Sequence, residues 1–164
     1  MDKQKLRSEV LATVNEILCD AGDEQRQTDK FQVSEDDVIS DLELESLEMI
    51  AMVEVLEQKF NLGYIEVSTV KNLTVGQLCD KVVYRNLRQE VKKDLLKLLQ
   101  KLNRQNKLSD VNDEERIFWN IGYDSIDIQD LTQEIEQKFG VDLTGYYLGD
   151  YTFGEVIDFI TEHL

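Results

Sequence analysis

Apolar residues recur along the chain at helical spacing. Leu6, Val10, Val14 and Ile17 lie three or four positions apart, and so do Val91, Leu95, Leu98 and Leu102. A second stripe runs through Met49, Val53, Leu56 and Phe60, with a partner in Ile128, Leu131, Ile135 and Phe139. A third runs from about Thr74 to Val83 and again from about Thr152 to Leu164, where Phe153, Val156, Ile157 and Ile160 form the apolar face. Long polar stretches, residues 20–40 and 103–116, follow the first stripe each time. No segment alternates at period two for long, so a sheet is not expected.

The stripes belong to an internal repeat. Leu56-Glu57-Gln58-Lys59-Phe60 matches Ile135-Glu136-Gln137-Lys138-Phe139 at an offset of 79. Leu6-Arg7-Ser8-Glu9-Val10 matches Leu87-Arg88-Gln89-Glu90-Val91 at 81, and Thr74-Val75-Gly76-Gln77-Leu78 matches Thr152-Phe153-Gly154-Glu155-Val156 at 78. Three matches in the same order imply two domains, residues 1–84 and 85–164. The expected fold class is all-α: two tandem four-helix bundles, each of three longer helices and one short one. Between Gly76 and Gly122 there is no glycine, and the 164 residues contain no proline. The join is therefore expected to be short and stiff rather than a flexible linker.

Charge narrows the function. The net charge is -16, with 34 acids against 18 bases. Residues 85–108 are locally basic, with 8 bases and 2 acids, between two acidic flanks. The basic helix (Arg88, Lys92, Lys93, Lys97, Lys101, Arg104) is expected to balance the acidic face of the first copy. A surface this acidic repels a phosphate backbone, so nucleic acid is not an expected partner; a protein with a basic face is. No apolar run approaches the ~18 residues of a membrane span, and no signal peptide is visible. The two cysteines, Cys19 and Cys79, lie 60 positions apart and read as small apolar fillers in a reducing, cytoplasmic setting.

Familiar catalytic and metal patterns fail. The single histidine, His163, sits beside the C-terminus and suits neither a Ser-His-Asp triad nor a histidine metal site. Gly149 and Gly154 have P-loop spacing, but Glu155-Val156 follows where Lys-Ser/Thr is needed. The acidic runs lack EF-hand order, and Ser34 with Asp37 reads instead as a helix start. Phe118 and Trp119 are expected to anchor the loop before the second helix, and Tyr146, Tyr147 and Tyr151 to pack in the core.

The sharpest feature is Gly122-Tyr123-Asp124-Ser125-Ile126-Asp127, opening the second helix of copy two. Its counterpart is Glu43-Leu44-Glu45-Ser46-Leu47-Glu48-Met49. Either serine read alone is a helix cap. Yet each stands 14 positions before the phenylalanine that ends its helix, behind an acid, in two matched acidic domains.

An acid-serine-leucine or acid-serine-isoleucine step opening an acidic amphipathic helix resembles the acyl carrier protein family, nearly twice over the whole chain. That resemblance implies a 4′-phosphopantetheine arm, delivered from coenzyme A by a phosphopantetheinyl transferase, on Ser125 and Ser46. It implies a non-enzymatic monomer that presents acyl chains as thioesters to synthases, reductases or transferases of fatty-acid, polyketide or related lipid assembly. It also implies docking of basic patches through Asp124, Asp127, Asp130 and Glu136 in copy two and Glu45, Glu48 and Glu57 in copy one, where Ala51 interrupts the series. An acyl tail would be sheltered among Met49, Val53, Leu56, Ile128, Leu131 and Ile135. Copy two has the family's glycine and aspartate; copy one has Glu43 and Glu45 there. Two alternatives stay open: a first copy that only docks or spaces, and an acidic helical adaptor with no prosthetic group.

Overall fold

The computed structural model describes residues 3–20, 33–102, 111–117 and 120–164. They form five α-helices: α1 (Lys3–Asp20), α2 (Ser46–Phe60), α3 (Val75–Leu102), α4 (Ser125–Phe139) and α5 (Phe153–Glu162). Three 3-10 turns, Ile39–Leu42, Val67–Thr69 and Leu148–Asp150, punctuate the connections. Among the described residues there is no strand, only isolated antiparallel bridges at Val38–Thr74 and Arg116–Thr152. The chain is thus helical, as its apolar spacing predicts. It divides into two compact units, Met1–Leu87 and Arg88–Leu164.

In the first unit, α1, α2 and residues 75–87 of α3 enclose Val10, Val14, Leu56, Val70 and Leu78, all fully buried. In the second, residues 88–102 of α3 with α4 and α5 enclose Leu95, Leu131, Ile135, Phe153 and Ile157 in the same way. The last helix of the first copy runs past Val83 straight into the first helix of the second, in keeping with the stiff join expected, and ends at Leu102. Nothing in residues 79–102 stops it: no glycine or proline falls there.

The units repeat their local devices as well as their stripes. Thr74 and Gln77 cap each other across the start of α3, at 2.9 and 3.1 Å; Thr152 and Glu155 do so at α5, at 2.7 and 3.2 Å. These are reciprocal capping boxes. One residue inside each, a glycine meets an earlier loop edge-on. Gly76 N–H donates to the Glu35 carbonyl and Gly154 N–H to the Asp113 carbonyl, both at 2.8 Å. A Cβ would lie 3.1 Å from the Glu35 oxygen, or 3.0 Å from that of Asp113. Close approach of backbone to backbone therefore selects glycine at both sites.

An arginine clamps each of these junctions. Arg7 reaches Glu35 at 2.5 Å and Asp80 at 2.8 Å; Arg88 reaches Asp113 at 2.8 Å and Asp158 at 2.5 Å, and Lys92 adds a contact to Asp113 at 2.7 Å. The first helix of each unit is thereby tied to the loop before the serine helix and to the last helix. Hydrogen bonds from Arg7 hold the Glu35 carboxyl below its ordinary range. Burial pushes the Asp113 carboxyl up, but hydrogen bonds from Lys92 and Arg88 outweigh it and hold it low.

Several sequence expectations change here. The basic helix, expected to balance the acidic face of copy one, forms its ion pairs within its own unit. Arg88, Lys92, Lys97 and Lys101 pair with Asp113, Asp158, Asp94 and Glu134, all of the second unit. Oppositely charged groups were available nearby in sequence and space, so local pairing wins. Ser34 and Asp37 form a turn rather than a helix start: Asp37 N–H donates to the Ser34 carbonyl at 3.1 Å, and Ser34 N–H to the Asp37 carboxylate at 2.8 Å. Tyr146 and Tyr147 are not core residues; 43% and 44% of their surface is exposed. Phe118, Trp119 and Arg104 lie outside the described residues.

Cys79 is fully buried, and burial pushes its thiol up to about 11, so it is inert filler. Cys19 is half-buried. His163 is exposed and stacks on Phe159. No helix among the described residues is long and apolar enough to cross a membrane, and none of their side chains cluster as a metal site would.

Candidate functional site

Ser125 is the first residue of α4, and the capping is done by its neighbour. Asp124 holds an extended backbone, and its carboxylate accepts the N–H groups of Ile126 and Asp127, both at 2.9 Å. The Asp124 N–H in turn donates to the Asp127 carboxylate at 3.2 Å. The serine is exposed, and its hydroxyl has no hydrogen-bond partner among the described residues. A serine that only capped the helix would stand one position earlier with its oxygen engaged. The acid does the capping and leaves the hydroxyl free for chemistry.

Ser46 occupies the same place at α2. It is exposed behind the N-cap Glu45, and Glu48 accepts the Glu45 N–H at 2.8 Å. In both units the positive end of the helix dipole lies behind the serine and suits an attached anion. The Ile126 and Asp127 N–H groups are already committed to Asp124, so the dipole rather than these donors is what α4 offers a phosphodiester.

The residue three before each serine must turn back sharply. Gly122 takes φ 82° there and Glu43 takes φ 51°, both left-handed. Glycine does this freely; an L-residue is strained by about 1–2 kcal/mol. No atom lies within 4 Å of where a Cβ on Gly122 would be, so the preference is conformational and not steric crowding. Glu43→Gly is expected to raise the stability of the first unit by about 0.5 kcal/mol, after the greater freedom of glycine in the unfolded chain is set against the strain. A rise in the urea midpoint at constant slope checks it.

The acids divide into three kinds. Asp124, Asp127, Glu45 and Glu48 sit at the helix starts, where Asp124, Asp127 and Glu48 spend a carboxylate oxygen on backbone N–H groups. Glu57 and Glu136 are half-buried and turn inward: Glu57 accepts the N–H of Ile65, and Glu136 that of Leu143 at 3.0 Å. They pin the loop after the serine helix to the helix's own C-terminal half. Asp130 is exposed and makes no hydrogen bond or ion pair among the described residues.

Two features escaped the sequence reading. Tyr123 is buried, and its hydroxyl donates to the Leu99 carbonyl; burial pushes the phenol up to about 12. It anchors the serine loop to α3, the task expected of Phe118 and Trp119. Leu47 and Ile126, each directly after its serine, are 75% and 64% exposed, so an apolar side chain flanks both hydroxyls. Their helical phase, off the stripe, was the signal.

Beside α2 lies a cleft of about 710 Å³ whose walls include Ser46, Met49, Val53 and Ile65. Leu56 is fully buried and not in that wall. Beside α5 a smaller cleft of about 240 Å³ is lined by Leu143, Tyr146, Tyr151, Val156 and Phe159. Ile128, Leu131 and Ile135 do not line it; they fill the core.

Residues 93–160 match the family model for the phosphopantetheine attachment site. No curated protein and no solved structure matches the chain. The matched stretch holds most of the second unit, with Ser125 at the start of α4. The match is to a domain that attaches a prosthetic group, and that group is 4′-phosphopantetheine. This is consistent with an acyl carrier family. The hydroxyl of Ser125, exposed at a helix start, fits that group: its oxygen is the atom a phosphodiester link needs from the protein.

Proposed function

We propose that the chain is a tandem acyl carrier, not an enzyme, with one phosphopantetheine arm on Ser125 and a second on Ser46. When bound, the arm supplies a thiol that holds acyl groups as thioesters. The protein supplies an exposed hydroxyl, a helix start that tolerates the anion, and an acidic face for basic partners. The observation that carries the reading is the uncapped, unbonded hydroxyl of Ser125 inside the matched domain. The repeat of its surroundings in the first unit supports the second arm: N-cap acid, left-handed turn, inward glutamate and arginine clamp all recur. Domains of this kind work with a phosphopantetheinyl transferase and acyl-processing enzymes, here of fatty-acid, polyketide or related lipid assembly.

The test is intact mass after incubation with coenzyme A and a broad-specificity transferase. Two added arms support the tandem carrier, and none, with a transferase active on another carrier, overturns it. A second reading has one arm only, with the first unit serving as a docking or spacing module. Glu43 and Glu45, standing where copy two has Gly122 and Asp124, favour it, as does a family match that begins at residue 93.

Asp130 gives the cleanest probe of docking, because it neither caps nor pins anything. Asp130→Lys is expected to lower transferase kcat/KM at Ser125 about tenfold at low salt, since a charge at an interface rim acts mainly on the association rate. The deficit should shrink as salt is raised, the screening length falling to about 3 Å at 1 M. A deficit independent of salt would count against electrostatic docking.

A further inference from the structure

The two units differ where the serine helix faces the loop before the last helix. The first unit has its 710 Å³ cleft there, with Ser46 itself in the wall. That volume falls within the ~300–1,000 Å³ of ordinary small-molecule sites. Two apolar wall residues, Ile50 and Val53, become Gln129 and Thr132 at the offset of 79.

The loop changes too. Ile65 and Val70 in the first unit correspond to Leu143 and Leu148 in the second, all buried, so the intervening segments have equal length between fixed anchors. The first reads Glu66-Val67-Ser68-Thr69, the second Thr144-Gly145-Tyr146-Tyr147. Thr69 thus corresponds to Tyr147, and Lys71, in the cleft wall, to Gly149. A Cβ on Gly149 would lie 2.6 Å from Cε1 of Tyr147 and 3.0 Å from Cδ1 of Ile128. The tyrosine ring and the Ile128 methyl therefore both approach Gly149 closely, where the lack of a Cβ leaves them room. Ile128 is the counterpart of Met49, which lines the first unit's cleft. The small-then-large pair of the first unit has become large-then-small, and the large ring meets Ile128 at Gly149.

We propose that the two units are matched to different cargo. The first shelters an apolar acyl chain in the cleft beside Ser46. Tyr147 closes the corresponding place in the second, so Ser125 carries a short or polar acyl group held outside. This rests on the carrier reading above.

The test uses the unmodified full-length chain, methyl-labelled, titrated with octanoyl-pantetheine to millimolar concentration, which matches what a short tether supplies. Methyl shifts are expected at Met49, Val53 and Ile65, and not at Ile128 or Leu143. In Tyr147→Thr, which puts the first unit's residue type at a half-exposed position, shifts should appear at Ile128 and Leu143 as well. No response at Met49 and Val53, equal responses in both units of the wild type, or no gain in Tyr147→Thr would each overturn the proposal.

A second measurement uses loaded protein. With one serine replaced at a time, an octanoyl thioester on Ser46 should survive hydroxylamine at least fivefold longer than one on Ser125, while acetyl thioesters decay alike. Equal octanoyl lifetimes would count against the sorting. If no arm is loaded at all, the carrier reading falls, and the titration still decides whether the cleft and the tyrosine behave as described.

Discussion

Ser125→Ala is expected to leave the fold intact and abolish loading of the second unit. The hydroxyl bonds to nothing among the described residues, and the helix is capped by Asp124, whose carboxylate takes the Ile126 and Asp127 N–H groups. Alanine is also the better helix former, by a few tenths of a kcal/mol. The urea midpoint should therefore stay at or slightly above that of the wild type. Intact mass should show one arm fewer, and Ser46→Ala should remove the other. Asp124→Ala is the contrasting variant: it keeps the nucleophile but costs about 1 kcal/mol of cap. Retention of both arms in Ser125→Ala would remove Ser125 as the attachment residue. The adaptor alternative makes a separate claim, that Ser125→Ala preserves partner binding and activity in cells.

Much of this was legible in the sequence because it depends on local pattern. A buried stripe needs apolar residues every three or four positions, so the helices announce themselves. The three matches at offsets of 78 to 81 likewise placed the serines, the capping threonines and the two glycines in register. What the sequence did not reveal is which atom of a motif does which job. Asp124 and Ser125 are both good caps by residue type; only the placement of the helix start separates them. Glu57 and Glu136 read as surface acids at a docking position, because the Ile65 and Leu143 N–H groups they accept belong to a loop whose path is not encoded in helical spacing. The arginine clamps were nearer to hand. Arg7 and Arg88 sit inside a matched segment, and their partners Asp80 and Asp158 share an offset of 78. A search for charged residues kept in both copies would have found them.

Tyr147 marks the opposite case, a difference between copies. Averaging the two sequences into one repeat hides it, and composition reads tyrosine as core. Only the clearance at Gly149 brings the ring and the Ile128 side chain of the serine helix to one place. The repeat therefore carries two kinds of information. Positions held in both units build the scaffold, and positions that change in pairs, such as Thr69 with Lys71 against Tyr147 with Gly149, distinguish the surroundings of the two serines.

Phe153→Ala should destabilise the second unit by about 3–5 kcal/mol, the usual cost of emptying a buried aromatic site. Phe153 is completely buried at the start of α5, and its N–H donates to the Glu115 carbonyl at 2.8 Å. It thus packs at the junction that the Asp113 clamp and the Gly154 contact also hold, and a void there loosens the loop leading to the serine. A unit of 77 residues has a total stability of about 4–12 kcal/mol at ordinary values per residue, so the loss takes a large fraction of it. Amide spectra in urea should show the signals of Arg88–Leu164 collapsing at a much lower midpoint, with those of Met1–Leu87 read in the same sample. Transferase loading of Ser125 should fall at the same urea concentration, because the target hydroxyl is presented only by a formed α4. A wild-type midpoint would mean that the site collapses around the missing ring. Loading that outlasts the amide signals would mean that the transferase recognises the unfolded segment, and the folded helix start would then not be what presents the serine.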